Sequence, residues 1–307
     1  MISPRGCKPS PGIGINWSHP LARGLTGAWL MNAGGGSPID IVTRRLGSRS
    51  SAAAWVPGSC GLAVQTPGVA DFVRFGTDVP AWKTGSISVV ILTMWDGTAN
   101  AGNSTIISSV ASSTGYELCY TSGHVLWWAH TAVFAINNTT YTATANVPFL
   151  AVLSYDSAVG TRVYVDGVQV ATNATTGALT YSGTHNFQLG QRGDGAVDGA
   201  TGSHFLTLVY NRGLSAFEAQ QLTANPYAMI ATSKRRRGRV PTSLAWVVPT
   251  HSQPNIRRIV GPARFGAFAF VPVISTAGGG VERIVLGQKE SFSTSVNPSI
   301  GSGALFG

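Results

Sequence analysis

Residues 149–172 read FLAVLSYDSAVGTRVYVDGVQVAT, and this stretch decides the fold. Its alternating apolar and polar residues predict three short antiparallel strands, the first with one face buried and one exposed. In the middle strand, Val163 and Tyr164 are expected to point to opposite faces. Asp166-Gly167 is the signal for a two-residue type I′ turn, because both central positions need a positive φ. A meander of three strands cannot bury its apolar face alone, so a second sheet is required.

The rest of the chain supplies that sheet. Residues 85–95 are nearly all apolar and predict a central strand that is covered on both faces. A capping box of Ser215 and Glu218 predicts one short helix over residues 215–223. Further strands are expected at 25–31, 72–75, 105–110, 116–121, 124–129, 134–144, 186–190 and 205–210. This pattern predicts an all-β fold, an antiparallel jelly-roll sandwich with one short helix and a β-rich C-terminal extension.

Charge divides the chain into segments. Charged residues make up 11% of the sequence, well below the share in ordinary domains, and the net charge is +9. Residues 1–231 contain 11 Lys/Arg and 10 Asp/Glu, whereas residues 232–307 contain 10 Lys/Arg and 2 Asp/Glu. We therefore predict an N-terminal arm at 1–14, a near-neutral domain at 15–231 and a basic extension at 232–307.

The sequence also indicates where the protein is made. Three widely spaced cysteines, Cys7, Cys60 and Cys119, favour free thiols in a reducing cytoplasm over a disulfide framework or a zinc site. The first residues lack the apolar region of a secretory signal. No run of 18 apolar residues is present, so a membrane partner is not expected.

Several stretches together resemble the laminin-G-like, concanavalin A-like jelly-roll family. The motifs that carry this resemblance are Phe149–Asp156 with Val163–Gly167, Phe187–Gly190 and Leu208–Ser215. Two more, Ser18–Trp29 and Leu214–Leu222 with Asn225-Pro226-Tyr227, resemble the start and end of such domains in structural proteins of tailed bacteriophages. The resemblance covers residues 15–230. It implies a virion protein that is made in the cytoplasm of the host bacterium.

Catalysis and metal binding find little support in the sequence. Glycosidases need two carboxylates around the scissile bond, and none of the four glutamates has an acidic residue within four positions. Where related domains often have an acidic motif before the closing strand, residues 202–207 contain no carboxylate. Asp194 and Asp198 could offer oxygen ligands to calcium, although Asp and Gly are also common loop formers. The prediction is a protein that is not an enzyme and has no cofactor.

Two adjacent tryptophans raise the alternative of sugar binding. Trp127 and Trp128 lie on one predicted strand and must point to opposite faces. One of them, with Tyr116 or Tyr120, could stack on a pyranose ring. A neighbouring subunit or the C-terminal segment could equally cover the outward ring. The alternative function is therefore a glycan- or receptor-binding module of a head or tail fibre.

The basic extension suggests docking on another protein. Nucleic-acid binding is disfavoured, because no aromatic residues are interleaved with the arginines of 234–239. The extension also contains apolar, β-prone stretches that a disordered tail would lack. We predict docking on an acidic surface of the major capsid protein or other virion subunits, with the protein decorating the capsid as a homo-oligomer. The docking residues would be Lys234, Arg235, Arg236, Arg237, Arg239, Arg257, Arg258 and Arg264.

Overall fold

The computed structural model describes residues 8–98, 103–111, 114–122, 125–130, 135–195 and 198–230, with the side chains of 127–130 and 135–137 outside the description. In these residues the chain forms fifteen strands and one α-helix. In chain order the strands are β1 (Leu25–Trp29), β2 (Ser48–Arg49), β3 (Ala54–Gly58), β4 (Gly61–Thr66), β5 (Val73–Thr77), β6 (Ile87–Trp95), β7 (Ser104–Ala111), β8 (Thr114–Tyr120), β9 (Val125–His130), β10 (Ala135–Thr142), β11 (Phe149–Asp156), β12 (Gly160–Val165), β13 (Val168–Asn173), β14 (Asn186–Leu189) and β15 (Gly202–Tyr210). The helix α1 is Ala216–Ala224.

The strands form the two antiparallel sheets of a sandwich, as the sequence predicted. The first sheet has eight strands in the order β13-β12-β11-β6-β15-β4-β3, with β1 also paired to β15. The second sheet has seven strands in the order β10-β9-β8-β7-β14-β5-β2. The short strands β2 and β3 were not predicted, because neither stretch shows a clear alternation of apolar and polar residues.

The predicted meander is confirmed in both its strands and its turn. Strand β11 pairs with β12, and β12 pairs with β13. The turn residues Asp166 and Gly167 have φ values of 51° and 79°, as a type I′ turn requires. Val163 lies in the core between the sheets, and Tyr164 lies in a second core on the outer face of the first sheet.

Aromatic side chains fill the core between the sheets. The Trp29 ring stacks on Phe75 with centroids 4.1 Å apart, and it meets Trp82 edge-on at 5.1 Å. Phe187 lies 5.8 Å from Trp29 and 5.4 Å from Trp82. Trp29 is fully buried. These offset and edge contacts are the arrangements that aromatic rings prefer.

The outer face of the first sheet is also buried, which corrects one expectation. Strand β11 was expected to be half-exposed, but its first seven residues are all buried. Leu150 and Val152 pack in the outer core with Leu222 from α1 and Met229 from the segment that follows. The helix and the ends of the domain therefore cover a face that alternation alone suggested was open.

The helix begins where the capping box predicted. The Ser215 side chain accepts a hydrogen bond from the Glu218 N–H, and the Glu218 carboxylate accepts one from the Ser215 N–H at 2.9 Å. The Glu218 carboxylate also pairs with Arg212 through two contacts of 2.6 and 3.0 Å. This pair fixes the start of the helix against the end of β15.

The residues that directly follow the predicted N-terminal arm pair with the end of the domain. Ile15 forms an antiparallel bridge with Ile230, and the Asn16 N–H donates to the Met229 carbonyl at 2.8 Å. The extension predicted at 232–307 lies outside the described residues. Among the described residues, no helix is long and apolar enough to cross a membrane.

Candidate functional site

The outer face of the second sheet carries polar residues that are buried under a loop. Residues 190–195 and 198–201 follow β14 and lie across this face, where the Gly193 N–H donates to Ser108 Oγ at 3.1 Å. The Thr105 N–H donates to the Asp198 carbonyl at 2.6 Å, and the Ala200 N–H donates to the Thr105 carbonyl at 2.8 Å. These hydrogen bonds fix the backbone of the loop to β7.

Glycines allow the loop to lie this close. A Cβ atom at Gly199 would sit 1.6 Å from the Gly190 carbonyl oxygen, and one at Gly193 would sit 2.6 Å from the Asn186 carbonyl oxygen. Both distances are far below van der Waals contact, so a side chain at Gly193 would push the loop away from β14 and β7, and one at Gly199 would push the two ends of the loop apart. From the sequence, glycines in this loop were expected only to form turns. Their role in close packing is visible only in the structure.

The loop brings three carboxylates and one guanidinium together. We call Glu117, Arg192, Asp194 and Asp198 the Glu117 cluster. Arg192 Nε lies 3.6 Å from Glu117 Oε2 and 3.4 Å from Asp194 Oδ2. These contacts are ion pairs without hydrogen-bond geometry, because Arg192 Nε has no hydrogen-bond partner within the described structure. Glu117 is 9% exposed, so its carboxyl group is largely removed from water.

Burial changes the protonation of these acids. Burial raises the pKa of Glu117 from 4.5 to about 7, although the Arg192 charge opposes the shift, and Asp198 and Asp194 add to it. Burial also raises the pKa of Asp198, with Arg192 again opposing. Burial raises the pKa of the neighbouring Cys119 thiol well above its ordinary value. The cluster therefore contains a carboxyl group that changes charge near neutral pH.

The two predicted tyrosines do not belong to this face. Tyr116 and Tyr120 are 0% and 2% exposed and pack in the core between the sheets. Their rings present no face to a sugar in solvent, so the prediction that either one stacks on a sugar is wrong. Alternation along β8 explains this result, because Glu117 and Cys119 point outward and the tyrosines must then point inward.

The tryptophans lie on a strand, as predicted, and backbone register separates their positions. On β9, position 127 pairs with Cys119 and position 128 pairs with Leu118. Paired residues of antiparallel strands share a face, so position 127 is on the face of Glu117 and position 128 is on the face of the inner core. Their side chains lie outside the described residues.

The other predicted site residues divide into two groups. Asp194 belongs to an ion pair with Arg192, and no group of three or more His, Cys, Asp or Glu in the described chain is arranged to hold a metal ion. The predicted docking residues all lie outside the described residues. They are Lys234, Arg235, Arg236, Arg237, Arg239, Arg257, Arg258 and Arg264.

Comparison with solved structures shows the same fold in proteins of different function. A Trypanosoma rangeli sialidase in complex with sialic acid matches with a TM-score of 0.53 and 18% identity, over 67% of this chain and 33% of the sialidase. The binding domain of Paraclostridial Mosquitocidal Protein 1 matches with a TM-score of 0.53 and 11% identity, over 68% of this chain and 53% of that domain. The chain thus spans about a third of the sialidase, and at these identities the likeness shows the fold alone.

Sequence comparison identifies the family. Comparison with curated proteins finds no match. A family profile, Laminin_G_3, described as the concanavalin A-like lectin/glucanases superfamily, matches residues 67–220, which is half of the chain. The match includes the meander, the loop over the second sheet and the start of the helix. The chain therefore belongs to the concanavalin A-like lectin/glucanase superfamily.

Proposed function

We propose that this domain binds carbohydrate at the Glu117 cluster, on the outer face of the second sheet. The observation that supports the proposal best is the pair of Glu117 and Arg192 on one face of the sheet. The loop that carries Arg192 packs closely on this face because it contains glycines. Carboxylates accept hydrogen bonds from sugar hydroxyls, and a guanidinium donates them. Position 127, where the sequence has a tryptophan, lies on the same face by backbone register, and an aromatic residue there suits the proposal because an aromatic ring can cover the apolar face of a sugar.

The cluster is better suited to binding than to hydrolysis. In a glycosidase, two carboxyl groups flank the scissile bond, one as acid and one as nucleophile or base. Here Glu117 and Asp194 both contact the same guanidinium nitrogen. An arginine between the acids occupies the space that a glycosidic bond would need. We therefore propose a binding module without catalytic activity, and no release of reducing ends from polysaccharides is the expected result.

A glycan array with the full-length protein tests the binding proposal. We expect binding to a restricted set of glycans and a loss of at least about tenfold in affinity for Asp194→Asn, which removes a charged acceptor, and for Trp127→Ala, which removes an aromatic ring. Asp156→Asn is the matched control, because Asp156 lies at the end of β11 in the other sheet. The proposal fails if a broad array gives no signal, or if both cluster-face variants bind as the unmodified protein does.

We also propose that the domain acts on a tailed-bacteriophage particle, as a capsid decoration protein. Support comes from the phage-like motifs at the two ends of the domain and from the concentration of positive charge in residues 232–307. Deleting 232–307 should leave a folded domain that no longer binds particles. Retained particle binding would refute docking through the arginines, and it would leave the carbohydrate proposal untouched.

A further inference from the structure

Arg74 lies on the same outer face as the Glu117 cluster, toward the other edge of the second sheet. It belongs to β5, which borders β14, whereas Glu117 belongs to β8, two strands beyond β14 on the opposite side. Arg74 pairs with Gln188, Gln188 pairs with Ser108, and Ser108 pairs with Glu117, so the four residues share one face. Neighbouring strands lie about 4.8 Å apart, which separates Arg74 from Glu117 by about 14 Å across the sheet.

Two contacts fix the guanidinium group of Arg74. Its Nε–H donates to Gln188 Oε1 at 2.9 Å. Gln188 is fully buried, and its own Nε2 donates to the Arg192 carbonyl at 2.7 Å, which holds the amide in place. The Arg74 Cζ atom also lies 4.8 Å from the centroid of the Phe72 ring, a cation–π contact. The planar guanidinium is therefore oriented before any ligand binds.

The outer end of this guanidinium has no partner within the described structure. Neither Nη1 nor Nη2 of Arg74 forms a hydrogen bond with a described residue, and no described carboxylate lies within ion-pair distance of the group. Burial lowers the pKa of Arg74, yet an arginine stays charged at neutral pH. A fixed, partly buried positive charge with two unused donors is suited to binding an anion.

We propose that Arg74 binds the carboxylate group of an acidic sugar, so that the domain prefers glycans that contain uronic acids. This inference rests on the proposed carbohydrate binding and names the class of its ligand. The Nη atoms of a guanidinium match the two oxygens of a carboxylate and can donate two parallel hydrogen bonds to it. Ser48 is exposed and pairs with Arg74 on the edge strand β2, so its hydroxyl group is close enough to bond to a hydroxyl group of the same sugar.

Solution NMR of the full-length protein tests the inference at the residue itself. A bulk binding assay would not suffice, because the ten basic residues of 232–307 also attract anions. The probes are methyl glucuronide, which has a carboxylate, the neutral methyl glucoside, and acetate. We expect the signals of Arg74 Nε–H and of the Gln188 side-chain amide to shift saturably with the glucuronide and not with the glucoside. Acetate should require on the order of tenfold higher concentration, because it has no hydroxyl group to bond to Ser48.

The variant Arg74→Lys separates the shape of the guanidinium from its charge. Lysine keeps the positive charge but cannot donate two parallel hydrogen bonds in a fixed plane. Followed at the Gln188 amide signal, this variant should bind the glucuronide at least about tenfold more weakly. Arg23→Lys is the matched control, because Arg23 is an exposed arginine that precedes β1 in the other sheet, and it should bind as the unmodified protein does. Equal affinity of the Arg74→Lys and Arg23→Lys proteins would overturn the role of Arg74.

Three results of the titration would also overturn the inference. They are no saturable shift with the glucuronide, an equal shift with the glucoside, and equal affinity for acetate and glucuronide, which would indicate a general anion site. The Glu117 proposal is tested separately by the glycan array. If the array shows binding that depends on Asp194 while the glucuronide leaves the Arg74 signal unchanged, only the inference about acidic sugars fails. If the array gives no signal while Arg74 responds to the glucuronide alone, the site at the Glu117 cluster fails instead.

Discussion

Replacing Glu117 with Gln should make the protein more stable at pH 8 and leave it almost unchanged at pH 4. The carboxyl group is buried on the second sheet, and its pKa is raised from 4.5 to about 7. Gln has nearly the same shape and cannot ionise. The substitution therefore removes the charge that burial penalises while it keeps the packing under the loop.

The magnitude follows from the two pKa values. Between about pH 4.5 and 7, the folded protein binds a proton at Glu117 that the unfolded chain has lost. The free energy of unfolding therefore falls as the pH rises through this window and stays low above it. Each pKa unit corresponds to about 1.4 kcal/mol, so the loss amounts to roughly 3 kcal/mol. Glu117→Gln should recover most of this loss at pH 8, because the pKa of about 7 already includes the attraction between Glu117 and Arg192.

Urea unfolding followed by tryptophan fluorescence at pH 4, 6 and 8 measures the effect. The difference between variant and unmodified protein isolates Glu117 and the charges coupled to it, because groups outside the cluster titrate equally in both. Glu218→Gln is a control of opposite sign. Burial raises the pKa of Glu218, but hydrogen bonds from Arg212 and Ser215 outweigh burial and lower it overall. Its contribution is present at neutral pH and lost in acid, so this variant should be less stable at pH 8. A Glu117→Gln protein that is less stable at pH 8 would refute the reasoning.

The remaining predictions concern packing, capping and the loop. Leu150→Ala should lower the free energy of unfolding by about 2–5 kcal/mol in urea titrations, because Leu150 is 1% exposed in the outer core. Val168 is 65% exposed, so the control Val168→Ala should change the free energy of unfolding by less than about 0.5 kcal/mol. Equal effects would show that the outer face of the first sheet is not a core. Ser215→Ala should lower the free energy of unfolding by about 1 kcal/mol through loss of the helix cap, and an unchanged melting temperature would count against the capping box. Gly199→Ala should abolish glycan binding, because its Cβ would meet the Gly190 carbonyl. Gly35→Ala is the control and should bind normally, because a Cβ there meets nothing within 4 Å. Glycan binding by the Gly199 variant would show that the site does not depend on this loop.

Local signals explain which parts of the fold could be predicted. Asp166-Gly167 fixes its turn through the φ values of two adjacent residues, and Ser215 with Glu218 fixes the helix start within a single turn. Each signal depends only on neighbouring residues, so the sequence contains it directly. The burial of β11 on both faces could not be predicted in the same way, because its outer cover comes from residues near 220–230.

The candidate site was missed because its members are far apart in sequence. Glu117 comes from β8, and Arg192, Asp194 and Asp198 come from the loop after β14, which packs back on the same face. A search for acidic residues within a few positions of each glutamate cannot find such a cluster. The alternation of side chains along β8 could have corrected the tyrosine prediction, because a Glu117 that points outward requires Tyr116 and Tyr120 to point inward.

The bridge between Ile15 and Ile230 means that the domain starts and finishes at one place. A short peptide linking those two positions should span the gap, so circular permutants opened at an exposed turn are expected to fold. The same geometry should allow the domain to be inserted into a loop of a host protein, because its two ends lie side by side.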